Sequence, residues 1–369
     1  MMYKVEKISG KTGMRDFNAL PYQVYRNDPN WVPPLEEVVK STLDKKANPY
    51  FKNADLELFI CYKGTNPVSR GVTVINPMHW EKHGEKSAFF GFFESFEDEE
   101  ACNILFDHMS GHCREKGATI MEGPFHPNHY SELGIQIPPY STSPAFFETY
   151  NPSFYPFLLE NIGFKESCRF HTRINRGVDQ YFQQNNEQIQ KPVGSGEFKV
   201  RESSFFSISS DLEKIREVYN DAFEDNWHFL PLTKEEYGFS AKYLFFITYP
   251  SLVVFVEKGD EPVGVVQCML NINPLIRQYK GKMGWFDYPG YLIKRNYIDE
   301  IVMYAVGIKK KYQGTEVIDL LAKALMYICG KYKTLSTTWM PDDNIKTIKL
   351  AEFFGLEPYK WFSIYKKPL

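Results

Sequence analysis

Ile301-Val302-Met303-Tyr304-Ala305-Val306-Gly307-Ile308, followed at once by Lys309-Lys310-Lys311-Tyr312-Gln313-Gly314-Thr315, is the stretch from which the rest of the chain can be read. Eight largely apolar residues are a strand's length, and the lysines and glycine after them form a turn. Val317, Leu320, Leu321, Ala324, Leu325 and Ile328 then recur at three- and four-residue steps, the spacing of a helix with one buried face. The first turn of such a helix presents backbone N–H groups that have no intrahelical acceptor, and with lysines beside them they suit a polyphosphate. A second strand, a helix opened by Asn344, a turn at Gly355 and the aromatic strand Tyr359-Lys360-Trp361-Phe362-Ser363-Ile364-Tyr365 complete the order.

That order resembles the acyl-CoA-binding half of the GNAT superfamily, the N-acetyltransferase fold. In that family the strand ends in Val-x-x-x-x-[Gln/Arg]-Gly-x-Gly-x-[Gly/Ala], and the loop amides hold the CoA pyrophosphate. Here Ile308 takes the Val place, Gln313 the Gln/Arg place and Gly314 that of the first Gly. Glu316 and Ile318 stand where the family has Gly and Gly or Ala. A carboxylate beside a pyrophosphate is unfavourable by about 0.3–1 kcal/mol at an exposed helix start. Lys309, Lys310 and Lys311 offset it. The resemblance therefore implies acetyl-CoA or another acyl-CoA as cosubstrate, held by Ile308, Lys310, Lys311, Gln313, Gly314, Thr315 and Asn344. The family's next segment, Asn-x-x-Ala-x-x-Leu-Tyr-x-x-x-Gly-Phe, is met by Asn344, Thr347, Leu350, Gly355 and Leu356, with Asn344 also a good N-cap. Ala351 occupies the place of the tyrosine that protonates the departing thiolate, so another group must act as the acid or the thiolate leaves unassisted.

The chain repeats itself. Lys63-Gly64-x-x-Pro67-Val68 recurs as Lys258-Gly259-x-x-Pro262-Val263, and Asn76 and Asn271 keep the same spacing; Gly163-Phe164 likewise parallels Gly355-Leu356. The expected fold is α/β (α+β): two tandem GNAT-like domains, each a mixed central sheet flanked by helices. Residues 1–180 form the first, 181–196 a polar, turn-rich linker and 197–369 the second. In the first copy the strand Ala88-Phe89-Phe90-Gly91-Phe92-Phe93 runs into Glu94-Ser95-Phe96-Glu97-Asp98-Glu99-Glu100, read as the start of the following helix. Acidic residues there stabilise the helix and repel phosphate, so this copy is expected to lack the phosphate loop. Leu159 takes its tyrosine place. Asp28-Pro29-Asn30-Trp31-Val32-Pro33-Pro34, Phe90-Gly91-Phe92-Phe93-Glu94, Gly123-Pro124-Phe125 and Glu132-x-Gly134 also resemble bacterial two-domain GNAT-like proteins of unassigned substrate.

The 369 residues are enough for two domains with full cores, and the net charge of −3 with dispersed basic residues argues against nucleic acid as a partner, including a charged tRNA. Phe (30) and Tyr (24) are abundant enough to wall apolar ligands as well as to fill cores. The 6 cysteines form no CxxC pair, and no apolar run reaches membrane-spanning length, so a cytoplasmic protein is expected.

Acyl transfer to an amine needs an uncharged nucleophile and hence a proton acceptor near neutral pH. In the family that carboxylate often lies on the strand before the phosphate loop. Asp299 and Glu300 open that strand here, and alternation places Glu300, Val302 and Tyr304 on one face. A second candidate pair, His129 with Glu132, lies in the long polar segment 123–134. His126, His129 and Glu132 would meet as metal ligands on a helical turn, but Pro127 opposes a helix, and no metal is expected. His79 and His83 are read as a solvated turn. The expected activity is acyl-CoA-dependent N-acylation of a small-molecule or lipid-like amine by acetyl or a longer acyl group, with Glu300, Tyr304, Glu132 and His129 as candidate catalytic residues. The alternative is a non-catalytic ligand-binding or protein-interaction module of the same fold.

Overall fold

A computed structural model describes residues 2–184 and 190–369. Asn185, Asn186, Glu187, Gln188 and Ile189, within the expected linker, lie outside the described residues. The chain divides into two compact units. The first runs to Phe170 and takes in Ile276–Met283 and Lys360–Leu369; the second comprises His171–Leu275 and Gly284–Tyr359.

In the first unit, strands Tyr3–Lys7, Asp55–Lys63, Asn66–Ile75 and Ser87–Ser95 pair antiparallel in that order. Ser87–Ser95 then pairs parallel with Ile120–Gly123, and Ile120–Gly123 pairs antiparallel with the end of strand Glu357–Pro368. Phe59, Phe90, Leu105, Phe106, Met109, Leu158, Phe164 and Tyr365 form its core, so apolar residues from strands and from helix Glu99–Glu115 meet as their periodicities require. In the second unit the order repeats. Phe198–Glu202, Val253–Lys258, Glu261–Leu270 and Glu300–Ile308 are antiparallel, Thr334–Thr337 is parallel to Glu300–Ile308, and the far end of strand Lys165–Arg176 closes the sheet antiparallel to Thr334–Thr337. Each sheet is thus mixed, four antiparallel strands and a parallel fifth. Each is closed by a strand that belongs, by sequence, to the other copy.

Helix Val317–Cys329 buries the face that its periodicity predicts, Val317, Leu320, Leu321, Ala324, Leu325 and Ile328. It seats against Gly264, where a Cβ would come within 2.9 Å of Val317 and 3.0 Å of Leu321. The repeated asparagines do the same job twice. Asn76 Oδ1 accepts from the Met78 N–H at 3.0 Å and caps helix Pro77–His83, and Asn271 Oδ1 accepts from the Asn273 N–H at 3.4 Å, ahead of helix Asn273–Tyr279.

Two expectations are corrected. His79 and His83 lie on helix Pro77–His83 and not in a solvated turn; His79 is buried, its ring stacked on His83 at 4.4 Å and set edge-on to Phe89 at 4.8 Å. Glu94 and Ser95 belong to strand Ser87–Ser95, and helix Glu99–Glu115 starts later, capped by Asp98. Ladder pairing with Arg70 and Ser69 extends the strand beyond the point where charge alone would end it.

Candidate active site

In the second unit, strand Glu300–Ile308 pairs with Thr334–Thr337 only along residues 300–303. There the ladder ends, with Thr338 N–H donating to the Met303 carbonyl at 3.2 Å and Thr338 Oγ1 to the Tyr304 carbonyl at 2.9 Å. At the same point the register with Glu261–Leu270 slips, Cys268 facing Met303 and Gln267 facing Ala305, which leaves Tyr304 as the extra residue of a β-bulge. A bulge bends its strand and re-aims the side chain it carries. Among the described residues, strand partners of residues 305–308 lie on one side, against residues 264–267.

Tyr304 keeps part of its surface accessible, yet burial pushes its phenol up to about 12. Tyr219 and Tyr237 stand near enough that Tyr304 helps to raise their own pKa values, after burial itself. Tyr219 Oη donates to Gln267 Oε1 at 2.8 Å, opposite Ala305. A phenol with a pKa near 12 holds its proton throughout the neutral range and can give it, not take it. Glu300, at the strand's entry, accepts from Ser336 Oγ at 3.3 Å.

The loop after Ile308 is exposed from Lys310 to Glu316 except at Tyr312, whose Oη donates to Glu261 Oε2 at 2.9 Å. Gln313 Nε2 donates to the Ile308 carbonyl at 3.2 Å and Thr315 Oγ1 to the Tyr312 carbonyl at 2.7 Å, so both side chains shape the loop. Gly314 turns with φ 78°, which glycine adopts freely. The three lysines differ. Lys309 is buried between Glu217 and Glu261; Lys310 is held by Glu224 at 3.0 Å and Asp225 at 2.6 Å. Lys311 is exposed, its ammonium over the Tyr312 ring at 5.4 Å. Asn344 Oδ1 accepts from the Thr347 N–H at 3.2 Å and caps helix Ile345–Phe353, and Ala351 is buried behind it. The fit to a CoA pyrophosphate is that of an exposed loop at a helix start with two exposed lysines, of which Lys310 is ion-paired, opposed by the carboxylates of Glu316 and Asp319.

The first unit has a bulge at the corresponding strand. Arg70 faces Glu94 and Val72 faces Gly91, with Phe92 at φ 48° in the slip. The position that would face a phosphate is closed: Asp98 accepts from Tyr3 Oη at 2.7 Å, Lys63 Nζ at 3.0 Å and the Ala101 N–H at 3.0 Å. The sequence elements 90–94 and 123–125 meet here. Phe125 N–H donates to the Phe90 carbonyl at 2.8 Å, and a Cβ on Gly91 would lie 1.8 Å from the Phe125 carbonyl oxygen. Segment 123–134 is not helical; Glu132 lies 3.9 Å from His126 Nδ1, and His129 lies against Tyr130 at 4.0 Å between ring centres. Among the described residues no group of three or more His, Cys, Asp or Glu could hold a metal ion.

Two ionisable groupings went unread in the sequence. His171 Nδ1 lies 2.6 Å from Asp342 Oδ1 in the second unit. In the first unit Glu94 accepts from Tyr155 Oη at 2.8 Å, and burial, opposed chiefly by Arg70, raises its carboxyl above the ordinary range. Neither falls in a recognisable spacing, because each pairs residues far apart in the chain.

No family model matches the chain. Protein YghO of Escherichia coli (strain K12) is 24% identical over 377 residues, 99% of this chain and 95% of that protein. The bacterial ceramide synthase of Caulobacter vibrioides (strain NA1000 / CB15N) is 26% identical over 367 residues, 96% of this chain and 95% of that one. Among solved structures, a tandem GNAT protein from the clavulanic acid biosynthesis pathway superposes with a TM-score of 0.58 at 10% identity, over 100% of this chain and 98% of that chain. A probable N-acyltransferase from Enterococcus faecalis V583 gives 0.54 at 9% identity, over 100% and 73%. At such identities the structural likeness establishes the fold.

Proposed function

We propose, from the premise that this chain folds as a tandem GNAT protein, that it is an N-acyltransferase moving an acyl group from acyl-CoA to a lipid-like amine. The observation that carries the reading is the bulge at Tyr304. It lies where the parallel ladder ends, and the residues after it, whose strand partners among the described residues lie on one side, lead to the exposed loop and the start of helix Val317–Cys329. An extended pantetheine arm can add to such an edge as a strand does, and the loop and helix amides then face its phosphates.

In the reaction the amine nitrogen bonds to the thioester carbon, the C–S bond breaks, and one proton leaves the nitrogen while the sulfur takes one. We assign the second task to Tyr304, whose phenol stays protonated and so replaces the acid missing at Ala351. Glu300, on the same strand, is the side chain we assign to the amine's proton. In the donor loop, Lys311, Gln313, Gly314 and Thr315 surround the phosphates. Lys310 acts by placing the loop, because Glu224 and Asp225 already neutralise it.

The lipid-like acceptor is supported by the ceramide synthase relative, since a ceramide is the amide of a long-chain amine. It is also supported by the apolar character of Ile318 and by the exposure of Trp285 and Phe286, at 88% and 100%. The test is release of free thiol from acetyl-CoA and from long-chain acyl-CoA across a panel of amines. Long-chain donors with lipid amines should turn over, and Tyr304→Phe should lower kcat by about 10²–10⁴-fold, as loss of a general acid does. Absence of thiol release with every donor and amine, or rates unchanged in Tyr304→Phe and Glu300→Gln alike, overturns the reading.

A further inference from the structure

The two copies of the fold differ in one long connection. From the repeated asparagine, the first copy reaches its next strand over residues 76–86, and the second takes residues 271–299 to reach Glu300–Ile308. The shorter connection closes the same kind of sheet, so the length of the second is not explained by strand pairing. Residues 284–299 belong to the second unit and hold Trp285, Phe286, Ile293 and Tyr297 in solvent. Large apolar side chains gathered on one segment and left in water mark a surface that something covers.

Leu270 faces Ile301 and Glu300 faces Thr334, so this connection and the turn 330–333 emerge at one end of the sheet, away from the loop after Ile308. Contacts within the unit fix the segment there. Tyr291 Oη and Arg295 Nη1 donate to the Phe246 carbonyl, the Arg295 guanidinium lies over the Tyr249 ring at 4.7 Å, and Tyr249 Oη donates to Asn296 Oδ1. The exposed rings therefore stand on an anchored base. Cations lie on the elements packed around it. Lys294 is exposed in the last turn of helix Asp287–Lys294, and Lys242, four residues before Phe246, lies over the Phe239 ring at 4.2 Å. Lys331, over the Tyr327 ring at 4.1 Å, precedes Tyr332, which is near enough to Tyr249 to feel its charge. The two carboxylates of residues 284–299 are engaged, Asp287 with the Gly284 N–H at 2.7 Å and Asp299 with Lys333 at 3.1 Å. This end of the unit is thus aromatic and cationic in a chain whose net charge is −3.

We propose that this end of the second unit docks on an anionic lipid surface. Indole, phenol and phenyl rings seat at the boundary between headgroups and acyl chains, and lysines meet lipid phosphates in the same layer. A second copy of the chain fits less well, because a two-fold contact sets these cations against themselves. Docking goes beyond the acyltransferase reading and does not depend on it. Joined to it, docking brings a membrane-borne amine to the end of the strand that Glu300 opens, with Tyr304 about 13 Å further along.

Flotation of the full chain with vesicles of phosphatidylglycerol and phosphatidylcholine, against vesicles of phosphatidylcholine alone, tests this. The chain should float with the anionic vesicles and lose that partitioning as salt rises. Brominated lipid in those vesicles should quench its tryptophan emission, and quench it less in Trp285→Phe. Lys242→Gln and Lys331→Gln should each weaken partitioning onto anionic vesicles about fivefold. Phe286→Ser with Tyr297→Ser should weaken it further while the melting temperature holds, because both side chains are exposed. No flotation, equal flotation with both kinds of vesicle, or parent-like flotation of every variant overturns the proposal. So does a chain that is dimeric in lipid-free buffer and monomeric in Phe286→Ser with Tyr297→Ser, since a second copy then covers this surface. Thiol release measured in parallel separates the two readings. Flotation without thiol release from any donor sinks the acyltransferase reading and leaves docking standing, and thiol release without flotation does the reverse.

Discussion

Gly91 is a residue defined by its neighbour: with the Phe125 carbonyl oxygen 1.8 Å from where a Cβ would be, alanine forces the strand and segment 123–134 apart. Gly91→Ala should lower the stability of the first unit by about 1–3 kcal/mol, the usual cost of overpacking, read as a fall in denaturation midpoint. Asp211 poses an electrostatic version of the same question. Burial pushes its carboxyl up, but Arg201 at 2.8 Å and the hydroxyls of Ser203 at 2.6 Å and Ser207 at 2.7 Å outweigh burial and hold it below the ordinary range. A carboxyl depressed in the folded state contributes stability that is present above its unfolded value, about 3.9, and is lost as pH falls through the folded one. Asp211→Asn should therefore cost about 1.5–3 kcal/mol at neutral pH, the worth of hydrogen bonds to a charged group. It should also flatten the acid limb of a stability–pH curve, and an unchanged limb would show that the contacts carry no charge-dependent stability. Lys310 and Lys311 look alike in the sequence and differ in what their ammonium groups meet. No spacing rule records that Glu224 and Asp225 come to the first and not to the second.

At the scale of elements, helix Val317–Cys329 and the doubled Lys-Gly-x-x-Pro-Val hairpin were readable because their signals are local: periodicity for the helix, turn chemistry for the hairpin. Glu94 was misread for the same reason. A run of acids next to a helix reads as its N-terminus, and nothing nearby in sequence announces that Arg70 extends the strand across the ladder. His171 with Asp342 and Tyr304 with Tyr219 were equally out of reach, since three-dimensional pairing and not spacing defines them. Helix Asp287–Lys294 inverts the usual amphipathic rule. Tyr291 and, just beyond the helix, Arg295 are buried, while Phe286, Pro289, Ile293 and Tyr297, at helical steps along one stripe, point outward. Phe286 is 100% exposed and Tyr297 82%. With Trp285 at its start and Lys294 in its last turn, this element has the make-up of an interfacial helix, apolar and aromatic side chains with a cation to meet anionic headgroups. Trp285→Ser with Phe286→Ser should reduce co-sedimentation with vesicles containing anionic lipid while leaving turnover of a water-soluble amine intact. Equal sedimentation of variant and parent would remove the lipid surface from the account.

For the whole molecule, the duplication is reciprocal rather than serial. The strand that ends the second copy in sequence, Glu357–Pro368, gives its last residues to the first unit, and the strand that ends the first copy, Lys165–Arg176, gives residues from His171 onward to the second. Within the first unit the incoming segment is held by more than ladder bonds. Tyr365 joins the core, Phe362 stacks on Phe170 at 5.8 Å, and Lys360 Nζ donates to Glu148 Oε2 and to the Ser143 carbonyl, both at 2.7 Å. Lys360 and Glu148 side chains are each 1% exposed. Such a pair contributes little net stability when intact but costs about 3–5 kcal/mol when one partner is removed, because the other charge is left buried and unpaired. Two consequences separate exchange from simple tandem folding. Lys360→Met should destabilise by about that amount, and Lys360→Met with Glu148→Leu should recover much of the loss. Deleting residues 360–369, which simple tandem folding would place in the second domain, should strip amide protection from Ile120–Gly123 and the first unit's core while Glu300–Ile308 and Thr334–Thr337 keep theirs. Hydrogen exchange resolved by segment decides it: protection lost from the second unit and kept in the first would mean that each copy closes its own sheet.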